Sequence, residues 1–112
     1  MAKFEFRNKK AELEFPTFSA TVGVNEGTQN YIIKSGEEIE SKAAEINSNP
    51  QILIDLITKY IDDLCGEGTT EKIMAGEVRD IYDYMEVYHY IITEIRMYYK
   101  TVRQKFTLPE VK

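Results

Sequence analysis

Two stretches near the start of the chain alternate apolar and polar residues with a period of two, Phe4-Glu5-Phe6-Arg7 and Glu12-Leu13-Glu14-Phe15. Such alternation places every second side chain on one face of a strand. Asn8-Lys9-Lys10 between them tolerates a turn, so the pattern predicts a β-hairpin over residues 3–15, with Phe4, Phe6, Leu13 and Phe15 on one face and Pro16 as its end. Two strands alone are marginal in water, so this hairpin must lay its Phe face on a helix or on another copy of the chain. Residues 17–25 read as a connector with room for a third short strand at Ser19-Ala20-Thr21-Val22.

After Asn25, which offers an N-cap, the periodicity becomes helical. Ile32, Ser35, Ile39, Ala43 and Ile46 recur at steps of 3 and 4 and predict a helix over 26–46, in which Gly27 and Gly36 are weak points. Asn49-Pro50 opens a second helix over 50–64, with Asn49 placed to cap free amides and Pro50 at the first helical position. Its face of Leu53, Leu56, Ile57, Tyr60 and Leu64 is broadened by Ile52, Ile54 and Ile61, the mark of a helix buried on more than one side. Gly66-Glu67-Gly68 stops it, and a short helix over 70–75 closes on Gly76.

The last helix, expected over 78–105, is the longest. Val78, Ile81, Met85, Tyr88, Ile92, Ile95, Tyr99, Val102 and Phe106 alternate steps of 3 and 4, and Tyr84, Val87, Ile91 and Tyr98 form a further apolar stripe beside that seam. A helix of this length runs to about 43 Å, against about 22 Å for the second helix, which can cover one stripe only. Packing against the second helix accounts for one stripe; the other predicts a homo-oligomer joined through the C-terminal half. The protein-binding candidates are accordingly Tyr84, Val87, Ile91, Ile95, Tyr98, Tyr99 and Val102. The expected fold class is α+β, mainly α, an N-terminal β-hairpin followed by three to four helices with the last one long, in a single domain spanning 1–112.

Composition agrees with one packed domain: 43% of the 112 residues are hydrophobic, and eight Tyr and five Phe supply core volume. Apolar runs stay far below the ~20 residues that span a bilayer, and the N-terminus lacks the apolar run of a signal peptide, so a cytoplasmic protein with no membrane contact is expected. Charge is uneven. Residues 1–18 carry a net +1, residues 19–95 a net −10 and residues 96–112 a net +4, for −5 in all. The acidic body repels phosphates, which argues against nucleic acid as the partner, although the basic end at Arg96, Lys100, Arg103, Lys105 and Lys112 leaves a small regulatory or nucleic-acid-binding domain as the alternative reading.

The residue types that carry chemistry point elsewhere. Cys65 is the single cysteine and His89 the single histidine; they fall on different predicted helices with no motif linking them. Gly66-Glu67-Gly68-Thr69-Thr70 has glycines before a helix, as phosphate loops do, but no Gly-Lys-Ser/Thr ending, and Glu67 puts negative charge where a phosphate would sit. Asp62, Asp63, Glu67 and Glu71 cluster at the same corner without the spacing of a calcium loop and read as solvated charge. Tyr82, Tyr84, Tyr88, Tyr90 and Tyr98 lie among acidic residues, which fits amphipathic protein contacts better than base stacking. No enzyme, cofactor or metal site is expected, and binding to other proteins is.

Residues 61–76, Ile-Asp-Asp-Leu-Cys-Gly-Glu-Gly-Thr-Thr-Glu-Lys-Ile-Met-Ala-Gly, are the most distinctive part of the chain. This segment resembles the corner of the small tail assembly chaperones of siphophages and prophages, which have a helix, a Gly-Glu-Gly-Thr turn and a short helix closing on Gly. The likeness in size and layout extends over roughly residues 3–105. The chain departs from that pattern in having Leu64-Cys65 where a bulky aromatic precedes the Gly, and in lacking Asn-Leu after Gly76. The resemblance implies a protein of the host-cell cytoplasm that binds the phage tape-measure protein, keeps its long apolar helix soluble, and gathers tail-tube subunits around it.

Overall fold

The computed structural model describes residues 3–75, 77 and 79–105. Two antiparallel strands, β1 (Lys10–Glu14) and β2 (Ser19–Gly23), are followed by helices α1 (Glu26–Lys42), α2 (Pro50–Cys65), α3 (Thr69–Met74) and α4 (Ile81–Lys105), with a 3-10 turn at Ala43–Glu45 after α1. This is the mainly helical α+β fold that the pattern predicts, hairpin first and long helix last. No helix among the described residues is long and apolar enough to cross a membrane.

The hairpin is displaced from the expected 3–15. Lys10 pairs with Gly23 and Glu14 with Ser19, and the Phe15 N–H donates to the Phe18 carbonyl at 2.9 Å, leaving Pro16 and Thr17 as a two-residue loop. Pro16 therefore turns the corner between strands, where its fixed φ helps and its missing N–H is not needed. The partner of 10–14 is the stretch this loop can reverse directly onto, and its inward residues match: Ala11 faces Val22 and Leu13 faces Ala20. Their modest size lets β1 lie on α4 and β2 on α2. Phe4–Arg7 forms no strand; Phe4 and Phe6 remain 74% and 77% exposed, with their rings edge to face at 4.7 Å.

Asn25 caps α1 as expected, in a reciprocal box: its side chain accepts from the Thr28 N–H at 3.1 Å, and the Thr28 hydroxyl accepts from the Asn25 N–H at 3.3 Å. Along the expected stripe Ser35 is buried and Ile32, Ile39 and Ile46 are half-buried, while Ala43 is exposed. Pro50 does open α2, but the Asn49 side chain caps nothing; the Asn49 carbonyl instead accepts from Ile52 N–H at 3.3 Å. α2 is the central element, touching α1, α3, α4 and β2, and it buries Leu53, Ile57, Tyr60 and Ile61. Leu56 and Leu64 are half-buried.

α4 begins at Ile81, where Asp80 and Asp83 cap it: the Asp80 N–H donates to the Asp83 carboxylate at 2.9 Å and the Asp83 N–H to the Asp80 carboxylate at 3.1 Å. The positions expected for Gly76, Val78 and Phe106 lie outside the described residues. At 25 residues, α4 is about 37 Å long. Its residues Ile81, Ile91 and Ile95 join Ala11, Leu13, Val22, Val24, Leu53, Ile57 and Ile61 in one core.

Candidate protein-binding surface

The residues proposed from the sequence divide into two groups. Ile91 and Ile95 are 0% and 1% exposed, inside the monomer core. These two, one from each apolar stripe, lie inside the fold's own core and are not available to a partner. The second stripe of α4 is partly covered within the chain: Ile91 lies in the core, and Tyr98 meets the segment that leads into β1. The Tyr98 hydroxyl donates to the Asn8 carbonyl at 2.6 Å, the Glu14 N–H donates to the Tyr90 hydroxyl at 3.0 Å, and the Tyr99 hydroxyl donates to the Asn25 carbonyl at 2.9 Å. Tyr84, Val87, Tyr98, Tyr99 and Val102 are half-buried.

The same logic governs the other tyrosines. Tyr31 of α1, Tyr60 of α2 and Tyr88 of α4 form a ring ladder with centroids 5.9 Å apart for the first pair and 6.1 Å for the second. Each hydroxyl ties one helix to another: Tyr31 donates to Asp63, Tyr60 donates to Glu38, and Tyr88 shares a hydrogen bond with buried Ser35. Burial raises the Tyr31 phenol well above its usual range, helped by the carboxylate it donates to; burial also raises Tyr88, partly offset by its bond to Ser35 and the charge of Arg96. These phenols stay protonated. Six of the eight tyrosines thus use their hydroxyls to join elements of the chain to one another.

The distinctive corner is also structural. Gly66 ends α2 at φ 117° and Gly68 precedes α3 at φ 85°, both in territory that side chains avoid. Thr69 Oγ1 donates to the Gly66 carbonyl at 2.7 Å. The Asp62 carboxylate accepts from the Thr70 N–H at 2.9 Å and from its hydroxyl at 2.8 Å. Asp62 and Asp63 are therefore both engaged within the fold, and among the described residues no three His, Cys, Asp or Glu side chains gather as a metal site. Cys65 is half-buried; burial, aided by the charge of Asp62, pushes its thiol up to about 11. A neutral thiol is a poor nucleophile.

One open surface is a groove of about 370 Å³ between the hairpin and the last turns of α4, where Ala11, Met97, Tyr98 and Val102 lie among the charged side chains of Lys10, Glu12 and Glu94. Met97 is 50% exposed. The Asn8 end of the groove is held by Tyr98, and the exposed Phe4 and Phe6 precede it in the chain. Of the seven proposed residues, Tyr98 and Val102 line this groove. Met97, Phe4 and Phe6 were missed: Met97 lies off both apolar stripes, and the two Phe were assigned to a strand face. A second groove, of about 300 Å³, lies between α1 and α4 and includes Ile33, Arg96, Tyr99 and Arg103.

Comparison of the chain with protein-family models, with curated proteins and with solved structures found no match in any of the three.

Proposed function

We propose that this chain is a protein-binding module that acts as a chaperone in phage or prophage tail assembly, in the cytoplasm of the host cell, with the tape-measure protein and tail-tube subunits as its clients. The observation that carries this reading is the groove between the hairpin and α4, where Met97, Tyr98 and Val102 present apolar surface at the edge of an acidic domain. An amphipathic helix laid there would offer its i, i+3 or i+4, and i+7 residues to such a groove. Phe4 and Phe6, which precede Asn8 in the chain, add exposed apolar area at 74% and 77% exposure, and exposed apolar surface is what interaction sites present. The net charge of −5 favours solubility of a complex built on that surface. The resemblance of residues 61–76 to the tail assembly chaperones supplies the biological setting.

Co-expression tests this reading. A tape-measure protein from the same phage should move from the insoluble to the soluble fraction when this chain is present and should co-elute with it. Paired Met97→Asp and Val102→Asp substitutions should abolish the effect while leaving helix content unchanged. A tape-measure protein that stays insoluble, or that is rescued equally by the paired variant, would refute it.

A further inference from the structure

The helix α1 is attached to the fold differently from its neighbours. Among the described residues the buried core cluster draws on β1, β2, Val24, α2 and α4, and on no residue of α1. Over its seventeen residues α1 buries two, Thr28 and Ser35, and both are polar. By contrast α2 buries Leu53, Ile57, Tyr60 and Ile61, and α4 buries Ile81, Ile91, Ile92 and Ile95. The apolar contribution of α1 to the core is Ile32 and Ile39, packed at its margin, while Ile33 is 60% exposed. The groove that includes Ile32, Ile33 and Ile95 lies open between α1 and α4.

Side-chain hydrogen bonds do most of the tying. Tyr31 of α1 donates to Asp63 of α2, Tyr60 of α2 donates to Glu38 of α1, Ser35 shares a hydrogen bond with Tyr88 of α4, and Tyr99 donates to the Asn25 carbonyl. Water can take the place of each partner, so these bonds hold the helix less firmly than buried apolar area would. Charge works against docking as well. α1 carries four Glu against two Lys, and α2, which it packs on, carries three Asp against one Lys. Within α1, Gly27 and Gly36 weaken the helix itself. A Cβ at Gly36 would meet nothing within 4 Å, so no close approach requires glycine there.

We propose that α1 is a lid, which leaves α2 and α4 and unwinds as one unit while the hairpin, α2, α3 and α4 stay folded. A lone helix of this length with two glycines is marginal in water, so undocking and unwinding go together. Opening uncovers Tyr88, Ile92, Ile95 and Tyr99, which follow at steps of four, three and four along the side of α4 that Tyr88 and Tyr99 turn to α1. The lid thus keeps an apolar strip out of water through contacts that can be given up and remade. This opening is a property of the chain alone. It is separate from the groove at Met97 and Val102 and does not rest on the client reading.

Native-state hydrogen exchange of the full chain, read residue by residue by NMR, tests the lid, because a segment that opens separately exchanges through that opening and not through global unfolding. The amides of residues 32–38 should share one protection factor, at least about tenfold below those of Ile57, Ile61, Ile91 and Ile95. Val22→Ala removes two buried carbons from the strand that lies on α2. It should speed exchange at those four core amides at least about tenfold and leave residues 32–38 within about twofold of the wild type, since the defect is present whether the lid is shut or open. Residues 32–38 protected as well as the core amides, protection that only falls away smoothly from the ends of α1, or a Val22→Ala change that speeds both sets alike would each overturn the lid. The wild-type comparison decides even if the variant does not fold.

Discussion

Replacing Ile91 with Ala separates a core residue from an interface residue at the position where the sequence pattern and the tertiary structure disagree most. Ile91 is 0% exposed and packs in the cluster with Leu13, Leu53 and Ile57. The substitution removes three carbons, about 2.4 kcal/mol of transfer free energy at ~0.8 kcal/mol per carbon. A retained cavity of roughly 50 Å³ adds about 1.2 kcal/mol at ~24 cal/mol per Å³. The expected loss is therefore about 3.5 kcal/mol. With an unfolding entropy of about 2.1 cal/mol/K per residue over 112 residues, Tm should fall by about 15 °C. Thermal melting followed by far-ultraviolet circular dichroism reads this, at low protein concentration so that association contributes little. Ile33→Ala, on the exposed face of α1, serves as the control and should shift Tm by no more than about 2 °C, as surface changes do. An Ile91→Ala variant that melts within about 3 °C of the wild type, yet sediments as a smaller species, would place Ile91 at an interface and refute the packing described above.

Gly66→Ala should destabilise by about 1–3 kcal/mol, the cost of holding a side chain in a sparsely populated backbone region, and Gly68→Ala by about 1 kcal/mol; the shift in urea midpoint reads both. At pH 8 Cys65 should react with a thiol reagent about a hundredfold more slowly than a free cysteine, since a pKa pushed up to about 11 leaves that much less thiolate; reaction at the free rate would put the thiol on the surface. Stability should fall in alkali. Cys65, Tyr31 and Tyr88 all have raised values in the fold, so the unfolded chain loses its protons first, and the stabilisation present below about pH 9 is lost as pH rises toward 11 and beyond. A urea midpoint that stays flat from pH 8 to about pH 11 would contradict this. EDTA, Mg²⁺, Ca²⁺ and ATP should leave Tm unchanged, because a ligand bound by the native state alone would raise it.

Local rules in the sequence were enough to locate the helices. Asn25, Pro50 and Gly66 act within one or two turns of where they stand, and steps of three and four align side chains on a helix whatever surrounds it. The helices 26–46 and 50–64 therefore appear close to their expected bounds, and α2 is central, as its all-round apolar character requires. The start of α4 was also legible, in the Asp80–Asp83 pair, but the continuing hydrophobic period at Val78 masked it.

Strand pairing is a relation between distant segments, and period-two alternation names candidates without choosing between them. Phe4–Arg7 alternates more cleanly than Ser19–Gly23, yet Pro16 and Thr17 reverse the chain onto the latter, whose Ala20 and Val22 fit against β1 and the helices. That choice decided the rest of the surface. Once the hairpin lies on α4, Tyr90 binds its backbone, Tyr98 binds the segment leading into it, and Ile91 of the stripe counted as free becomes internal. A helical wheel gives the width of an apolar face and not which element will cover it. By itself the sequence determined the helices, the Asn25 cap and the glycine corner, because those depend on short-range sterics and hydrogen bonding. The tertiary structure alone decided which apolar residues stay in water, because burial depends on every element that reaches the same face.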